Sequence, residues 1–188
     1  MRTLSAFNFI TLNGFLHGAN GDLSWHTHGT EENLYASDSL QAENILLFGR
    51  KTYEMMAGYW PTPMAMEHDP TVAIGMNRAE KLVFSSSTQE AAWENTSIIN
   101  GDITEKIRQL KQTPGKNMTL LGSGNILSQL AANDLIDDYL IMIDPVAIGS
   151  GTSIFSGIEH RLQLSLKNVQ TFKSGVILLH YKPKQALS

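Results

Sequence analysis

The sequence predicts one α/β domain over residues 1–188, with a mostly parallel central sheet and an antiparallel edge at its C-terminal end. Three observations carry that expectation. Strand-like and helix-like segments alternate from residue 3 to about residue 132. The run Ile45-Leu46-Leu47-Phe48 is apolar on both faces and lies between helices, as a central parallel strand does. From Asp137 onward helical periodicity stops, and residues 162–182 read as an antiparallel pair around Lys173-Ser174-Gly175.

Residues 3–11 form the first expected strand, rich in β-branched and aromatic side chains and punctuated by Asn13-Gly14. A polar, glycine-rich loop follows as far as Trp25-His26-Thr27-His28-Gly29, and Thr30 is placed to N-cap a helix with Glu31 and Glu32 in its first turn. After the strand 45–48, Gly49-Arg50-Lys51-Thr52 opens a helix that reaches about Ala57 and is ended by Gly58, Pro61 and Pro63. Residues 61–80 read as irregular. Strands are expected at 81–85 and at Ile98-Ile99, then an amphipathic helix at 102–112 with Ile103, Ile107 and Leu110 on one face. Thr113-Pro114-Gly115 stops it. Met118–Leu121 is the next strand, Gly122-Ser123-Gly124 opens another helix, and Tyr139–Ile143 is a strand. Alternation of Leu162, Leu164 and Leu166 predicts one half-buried strand in the closing pair.

Composition narrows the function. The 188 residues are 42% hydrophobic, enough to fill a core without covalent staples, and none is cysteine, which removes thiol nucleophiles, cysteine-based zinc sites and iron–sulfur clusters. A net charge of −4 argues against a nucleic-acid partner, which needs a basic stripe. No apolar run approaches a membrane span and no signal peptide is visible, so a cytoplasmic protein without a membrane partner is expected. His26 and His28, with His17 nearby, lack a fixed third ligand, and no metal is expected.

Three strand ends could carry chemistry. At Gly122-Ser123-Gly124 a strand passes into a helix, where unpaired N–H groups and the positive dipole end suit a pyrophosphate. A tight turn that needs glycine explains an isolated Gly-x-Gly as well. A Rossmann fingerprint fails on Leu127 at the third glycine position. At Gly49-Arg50-Lys51-Thr52 two cations stand at a helix start, where the dipole disfavours them, which hints at an anionic partner such as a 2′-phosphate. Ser85-Ser86-Ser87 adds hydroxyls after a third strand. All three belong to the carboxyl ends of parallel strands, where open α/β sheets bind ligands.

In this order, these junctions resemble the dihydrofolate reductase-like superfamily. Gly122-Ser123-Gly124 followed by Asp137, Pro145, Gly149, Gly151 and Phe155 is similar to stand-alone relatives of the reductase domain of riboflavin biosynthesis. The resemblance implies a three-layer α/β/α fold and an NADPH-dependent reductase acting on a small heterocycle of pterin or ribosylamino-pyrimidine type. A non-catalytic nucleotide or pterin binder and a true dihydrofolate reductase are its alternatives. By position, Gly49, Arg50, Lys51 and Thr52 would hold the adenosine-side phosphates, Ser85 and Ser86 would flank the adenosine, and Gly122, Ser123, Gly124, Asn125 and Ile126 would cradle the pyrophosphate. Thr11, Asn13 and Gly14 would lie in the loop closing over the nicotinamide, and Trp25 resembles the tryptophan preceding the first helix. Folate reduction relies on a buried carboxylate of that helix. An ungapped count puts Asn33 there, and Asp38, sharing a face with Leu34 and Tyr35, becomes the candidate acid beside Trp25 and Thr11. The resemblance also implies a homodimer. The His-x-Glu and Pro-Cys-x-x-Cys signature of a fused zinc deaminase is absent.

Overall fold

A computed structural model of the chain describes residues 1–27, 29–87 and 90–184. His28, one of the two loop histidines weighed as metal ligands, lies outside them. Ten strands and six α-helices follow one another along the described chain. β1 (Leu4–Thr11) leads to a short β2 (Phe15–Gly18), then α1 (Thr30–Gln41), β3 (Ile45–Gly49) and α2 (Arg50–Ala57). Next come α3 (Pro63–His68), α4 (Pro70–Arg78), β4 (Lys81–Phe84), β5 (Thr96–Ile99) and α5 (Ile103–Gln112). The chain continues with β6 (Met118–Leu121), α6 (Gly124–Ala132), β7 (Asp138–Asp144), β8 (Gly151–Ser153), β9 (Leu164–Thr171) and β10 (Ile177–Pro183).

Eight strands form one sheet in the order β5-β4-β3-β6-β1-β7-β10-β9, parallel from β5 through β7 and antiparallel where β10 joins β7 and β9. β2 and β8 make a separate antiparallel pair.

Side-chain parity on each strand assigns the layers. Leu4, Ala6 and Ile10 of β1 share a core with Ile103 and Ile107 of α5 and Ile126, Leu127 and Leu130 of α6. On the other face, Leu46 and Phe48 of β3 pack with Tyr53 of α2, Val72 and Met76 of α4, and Trp93. Phe7 and Phe9 of β1, on that same side, meet Tyr35 of α1 and the Phe172–Val176 turn between β9 and β10. β3 is therefore buried on both faces, as its unbroken apolar run requires.

Several expectations are corrected. Most of residues 61–80 is helical, in α3 and α4, because Pro63 and Pro70 stand in the first turns of these helices, where a missing N–H costs nothing, and Thr62 caps α3 by accepting the Ala65 N–H at 3.3 Å. Thr30 is the first residue of α1, and Gly29 is the N-cap. Leu166 is 51% exposed, so the alternation that placed it in a buried face does not hold on the edge strand β9.

Lys81 opens β4 fully buried. Its Nζ donates to the carbonyls of Ala79 (2.7 Å), Glu94 (3.0 Å) and Asn77 (3.1 Å) and lies 4.4 Å above the Trp93 ring. Burial pushes its ammonium down to about 8, against a smaller opposing pull from Glu94.

Candidate active site

Because β1, β3, β4 and β6 run parallel, their carboxyl ends share one edge of the sheet. There α2 begins directly after β3 and α6 begins two residues after β6, and the two helix starts are joined through one side chain. The Ser123 hydroxyl accepts the Gly49 N–H at 2.9 Å and shares a hydrogen bond with the Thr52 hydroxyl at 2.8 Å. The glycines here answer to close approach. A Cβ on Gly49 would stand 2.9 Å from Ser123 Oγ and 3.0 Å from Ile126 Cδ1, while Gly122 has φ +62° and faces Thr52 Cγ2 at 3.2 Å. On Gly124 a Cβ would meet Leu16 Cδ1 at 2.8 Å, so β2 packs directly over the start of α6. No side chain caps α6, which leaves its first-turn N–H groups for another partner.

Arg50 is half-exposed and its guanidinium reaches the Glu54 carboxylate at 2.8 and 3.0 Å, one helical turn on. Lys51 and Asn125 are exposed, whereas the Ile126 side chain is buried in the core. Ser85 and Ser86 follow β4 on the same edge; the Ser85 N–H donates to the Ile99 carbonyl at 3.2 Å, and Ser85 Oγ accepts the Ser87 N–H at 3.2 Å.

The turn after β1 is held internally. Thr11, with no exposed surface, donates its hydroxyl to Asn13 Oδ1 at 2.8 Å and accepts the Phe15 N–H at 3.0 Å. Asn13 donates to the Ile148 carbonyl at 2.8 Å and Gly14, at φ +85°, accepts the Ile154 N–H at 3.1 Å. The Thr11 hydroxyl is thus engaged on both its donor and its acceptor side in holding this turn. Trp25 is half-buried, with its indole N–H on the Asp22 carbonyl at 3.2 Å and its ring edge-on to His26.

Asp38 is corrected outright: it is exposed on α1, because Tyr35 turns inward while Leu34 and Asp38 turn out. The buried carboxylate of α1 is Glu32, 3% exposed and hydrogen-bonded to the Ser174 hydroxyl. Its neighbour Glu31 takes the Lys173 ammonium and backbone N–H, both at 2.9 Å, and these hold its carboxyl below the usual range. Two further features escaped the sequence reading, which weighed His26 only as a metal ligand. His26 Nδ1 meets both oxygens of buried Asp144 at 3.0 and 3.1 Å, and its ring lies against Phe9 at 4.1 Å, tilted by 41°. Phe7, edge-on to Phe9 at 5.0 Å and stacked on Tyr35 at 6.1 Å, extends this into an aromatic cluster on the α1 side of the sheet. Burial raises the Tyr35 phenol above its ordinary range. The other missed residue is Asn8, a polar side chain inside the apolar pattern of β1. It is 2% exposed, and its Oδ1 has no hydrogen-bond partner.

Arg78, the arginine nearest in sequence to a folate-tail position, lies 3.7 Å from Glu43 at the far end of α4. Among the described residues no group of three or more metal-ligating side chains comes together, and no helix is long and apolar enough to cross a membrane.

Comparison with known proteins agrees with this geometry. The model of the RibD C-terminal domain matches residues 2–178. The uncharacterized protein YyaP of Bacillus subtilis (strain 168) is 30% identical over 173 residues, covering 92% of this chain and 90% of its own. Among solved structures, a putative riboflavin biosynthesis protein from Shewanella sp. PV-4 superposes with a TM-score of 0.75 at 18% identity, over 97% of this chain and 99% of that one. Dihydrofolate reductase from Enterococcus faecalis, complexed with NADP(H) and RAB-propyl, gives 0.67 at 15% identity, over 97% of each chain. The fold is dihydrofolate reductase-like.

Proposed function

We propose a function from one premise: the chain belongs to the RibD C-terminal domain family. It is an NADPH-dependent reductase that delivers hydride to a small heterocycle of pterin or ribosylamino-pyrimidine type. One observation carries the reading, the Ser123 hydroxyl that ties the starts of α2 and α6 into a single glycine-lined cradle at the carboxyl ends of β3 and β6. The donor set suits a dinucleotide phosphate, since the first-turn N–H groups of α6 carry no side-chain cap and are free to donate to a pyrophosphate.

When bound, the dinucleotide supplies the hydride; the rest falls to the chain's own residues. Arg50 exchanges Glu54 for the 2′-phosphate, with Lys51 beside it. Thr52 and Ser123 fix the spacing of the two helix starts, and Ser85 and Ser86 flank the adenosine. Phe7, Phe9 and Tyr35 form the aromatic cluster against which a heterocyclic ring would pack. The acid that serves the reduced heteroatom is sought on this side of the sheet, in the His26–Asp144 pair, whose imidazole touches Phe9, or in Glu32 of α1. Arg78, paired with Glu43, favours heterocycles other than folates.

Titration of the purified protein with NADPH, followed by cofactor fluorescence, tests the reading, and no detectable binding at millimolar cofactor overturns it. The exposed position of Asp38 favours a second reading, a non-catalytic nucleotide or pterin binder. A turnover screen over dihydropteridines and ribosylamino-pyrimidines separates the two. The reading includes a homodimer through the outer face of β9 and β10, where Leu166, Val169 and Ile177 are exposed; sedimentation showing only monomer at micromolar concentration removes it.

A further inference from the structure

We infer that the heterocycle taken up at this site carries no phosphate or other anionic group, so that the chain pairs an anionic cofactor with an uncharged or cationic acceptor. The inference rests on the reductase reading above and deepens it, since it divides the pterin and ribosylamino-pyrimidine classes into phosphorylated and phosphate-free members.

The seat is a gap in the layer that covers the sheet. β1 lies between β6 and β7, and on its α6 side Leu4, Ala6 and Ile10 are buried. On the α1 side Phe7 and Phe9 stay half-buried, although a parallel strand in the middle of a sheet normally loses both faces to the helices. Tyr35 of α1 bounds the gap beside Phe7, and His26, held by Asp144 at the end of β7, bounds it beside Phe9. The β9–β10 turn meets Tyr35 through Phe172.

The charge of these walls selects the acceptor. Residues 3–49, which supply β1, α1 and the loop between them, contain five carboxylates and no lysine or arginine. Residues 117–160, which supply β7, contain five more carboxylates and again no lysine or arginine. A protonated His26 is matched by the Asp144 carboxylate, so that pair adds no net positive charge. The start of α1 would suit an anion, but Glu31 and Glu32 already occupy its first turn. The β9–β10 turn brings Lys173 to the rim, one helical turn before Tyr35, and its ammonium meets Glu31 at 2.9 Å. The Lys173 backbone N–H also donates to Glu31 at 2.9 Å, which keeps the carboxylate in place even when the ammonium swings away. A phosphate drawn to Lys173 would therefore rest against Glu31. The cradle is the reverse case, with Arg50 and Lys51 together at the start of α2.

The test measures binding by calorimetry on the full chain saturated with NADP⁺, so that no turnover occurs. Two matched pairs are the probes: hydroxymethyl-dihydropterin with its phosphate ester, and aminoribosylaminouracil with its 5′-phosphate. In every pair that binds, the phosphate-free member is expected to bind about tenfold more tightly. Raising the salt from about 0.01 M to about 1 M should shrink that preference, because screening weakens the repulsion. Glu31→Gln, which removes a carboxylate and releases Lys173, should raise the affinity of the phosphate esters about tenfold. An ester that binds as well as its phosphate-free partner overturns the inference and leaves the dinucleotide reading standing. A preference unmoved by salt does the same, as the mark of a phosphate excluded by its size, and so does Glu31→Gln without a gain. Binding of none of the four probes at millimolar concentration also overturns it, whereas a chain that fails to bind NADP⁺ removes the dinucleotide reading and the inference together.

Discussion

Replacing Ser123 with Ala tests how the cradle is held. The substitution removes the acceptor of the Gly49 N–H and the partner of the Thr52 hydroxyl, two contacts of 2.9 and 2.8 Å in a half-buried setting. A net hydrogen bond contributes about 0.5–1.5 kcal/mol, and a donor left without a partner away from water costs about 1–3 kcal/mol. The sum expected is about 2 kcal/mol. For a chain of this length each kcal/mol moves the melting temperature by about 2–4 °C, so circular dichroism should show a fall of about 4–8 °C. The loss should be coupled to Thr52. In a Thr52→Val background one of the two bonds is already gone, and Ser123→Ala should cost about 1 kcal/mol less than in the wild type. Gly49→Ala approaches the same junction from the other side, since its Cβ would stand 2.9 Å from Ser123 Oγ and force the helix starts apart. NADPH affinity, read by fluorescence, should fall about tenfold in both Ser123→Ala and Gly49→Ala, which corresponds to about 1.4 kcal/mol. A Ser123→Ala melt within about 1 °C of wild type, or additive losses with Thr52→Val, would refute the bridge.

Arg50→Ala should weaken NADPH about tenfold and leave NADH almost unchanged, because a charge-assisted bond to the 2′-phosphate is lost only with the former; equal losses in a fluorescence titration contradict that assignment. Glu32→Leu should destabilise the protein by about 0.5–1.5 kcal/mol in chemical denaturation, since it removes the buried carboxylate that accepts the Ser174 hydroxyl of the β9–β10 turn. Asp38→Asn should change stability by less than about 0.5 kcal/mol, and a larger effect would mean that Asp38 is not the exposed residue described. Lys81 makes a pH prediction. Its folded form releases a proton at about 8, while the unfolded chain keeps it to about 10.4, so the unfolded state binds more protons between those values and stability rises with pH across that window. Lys81→Met should abolish that rise, and parallel melting-temperature curves for the two proteins from pH 7 to pH 10 would count against it.

The parallel core was readable because local pattern and tertiary role coincide there. Ile45–Phe48 is buried on both faces, and its composition says so. The β2–β8 pair was not readable: Phe15–Gly18 and Gly151–Ser153 are three or four residues long, and only their meeting across more than a hundred positions makes them strands. Pro63 and Pro70 misled because proline ends a helix in its interior and begins one in its first turn. At the site, the Gly49–Thr52 and Gly122–Gly124 junctions are local signatures and were legible. The buried acid was not. Glu32 and Asp38 look alike along the chain, and the turn at Phe172–Val176, about 140 residues later, covers one and leaves the other in water. His26 and Asp144 are 118 positions apart, so their pairing has no local trace.

The position of β6 governs how the molecule comes together. It is inserted between β1 and β3 although it follows both, and also β4 and β5, along the chain. Until Met118–Leu121 exists, β1 and β3 have no common neighbour, and the β3–β4–β5 side of the sheet cannot be joined to the β1–β7–β10–β9 side. Non-local joining of this kind is slow, since the loop must close before the contacts reward it. The strand that joins the two sides of the sheet also delivers Gly122–Gly124, so a ligand seated on the start of α6 rests on that joint. Such a ligand would stabilise the whole sheet by mass action as well as its own pocket, and the protein would be hardest to unfold when its cradle is filled.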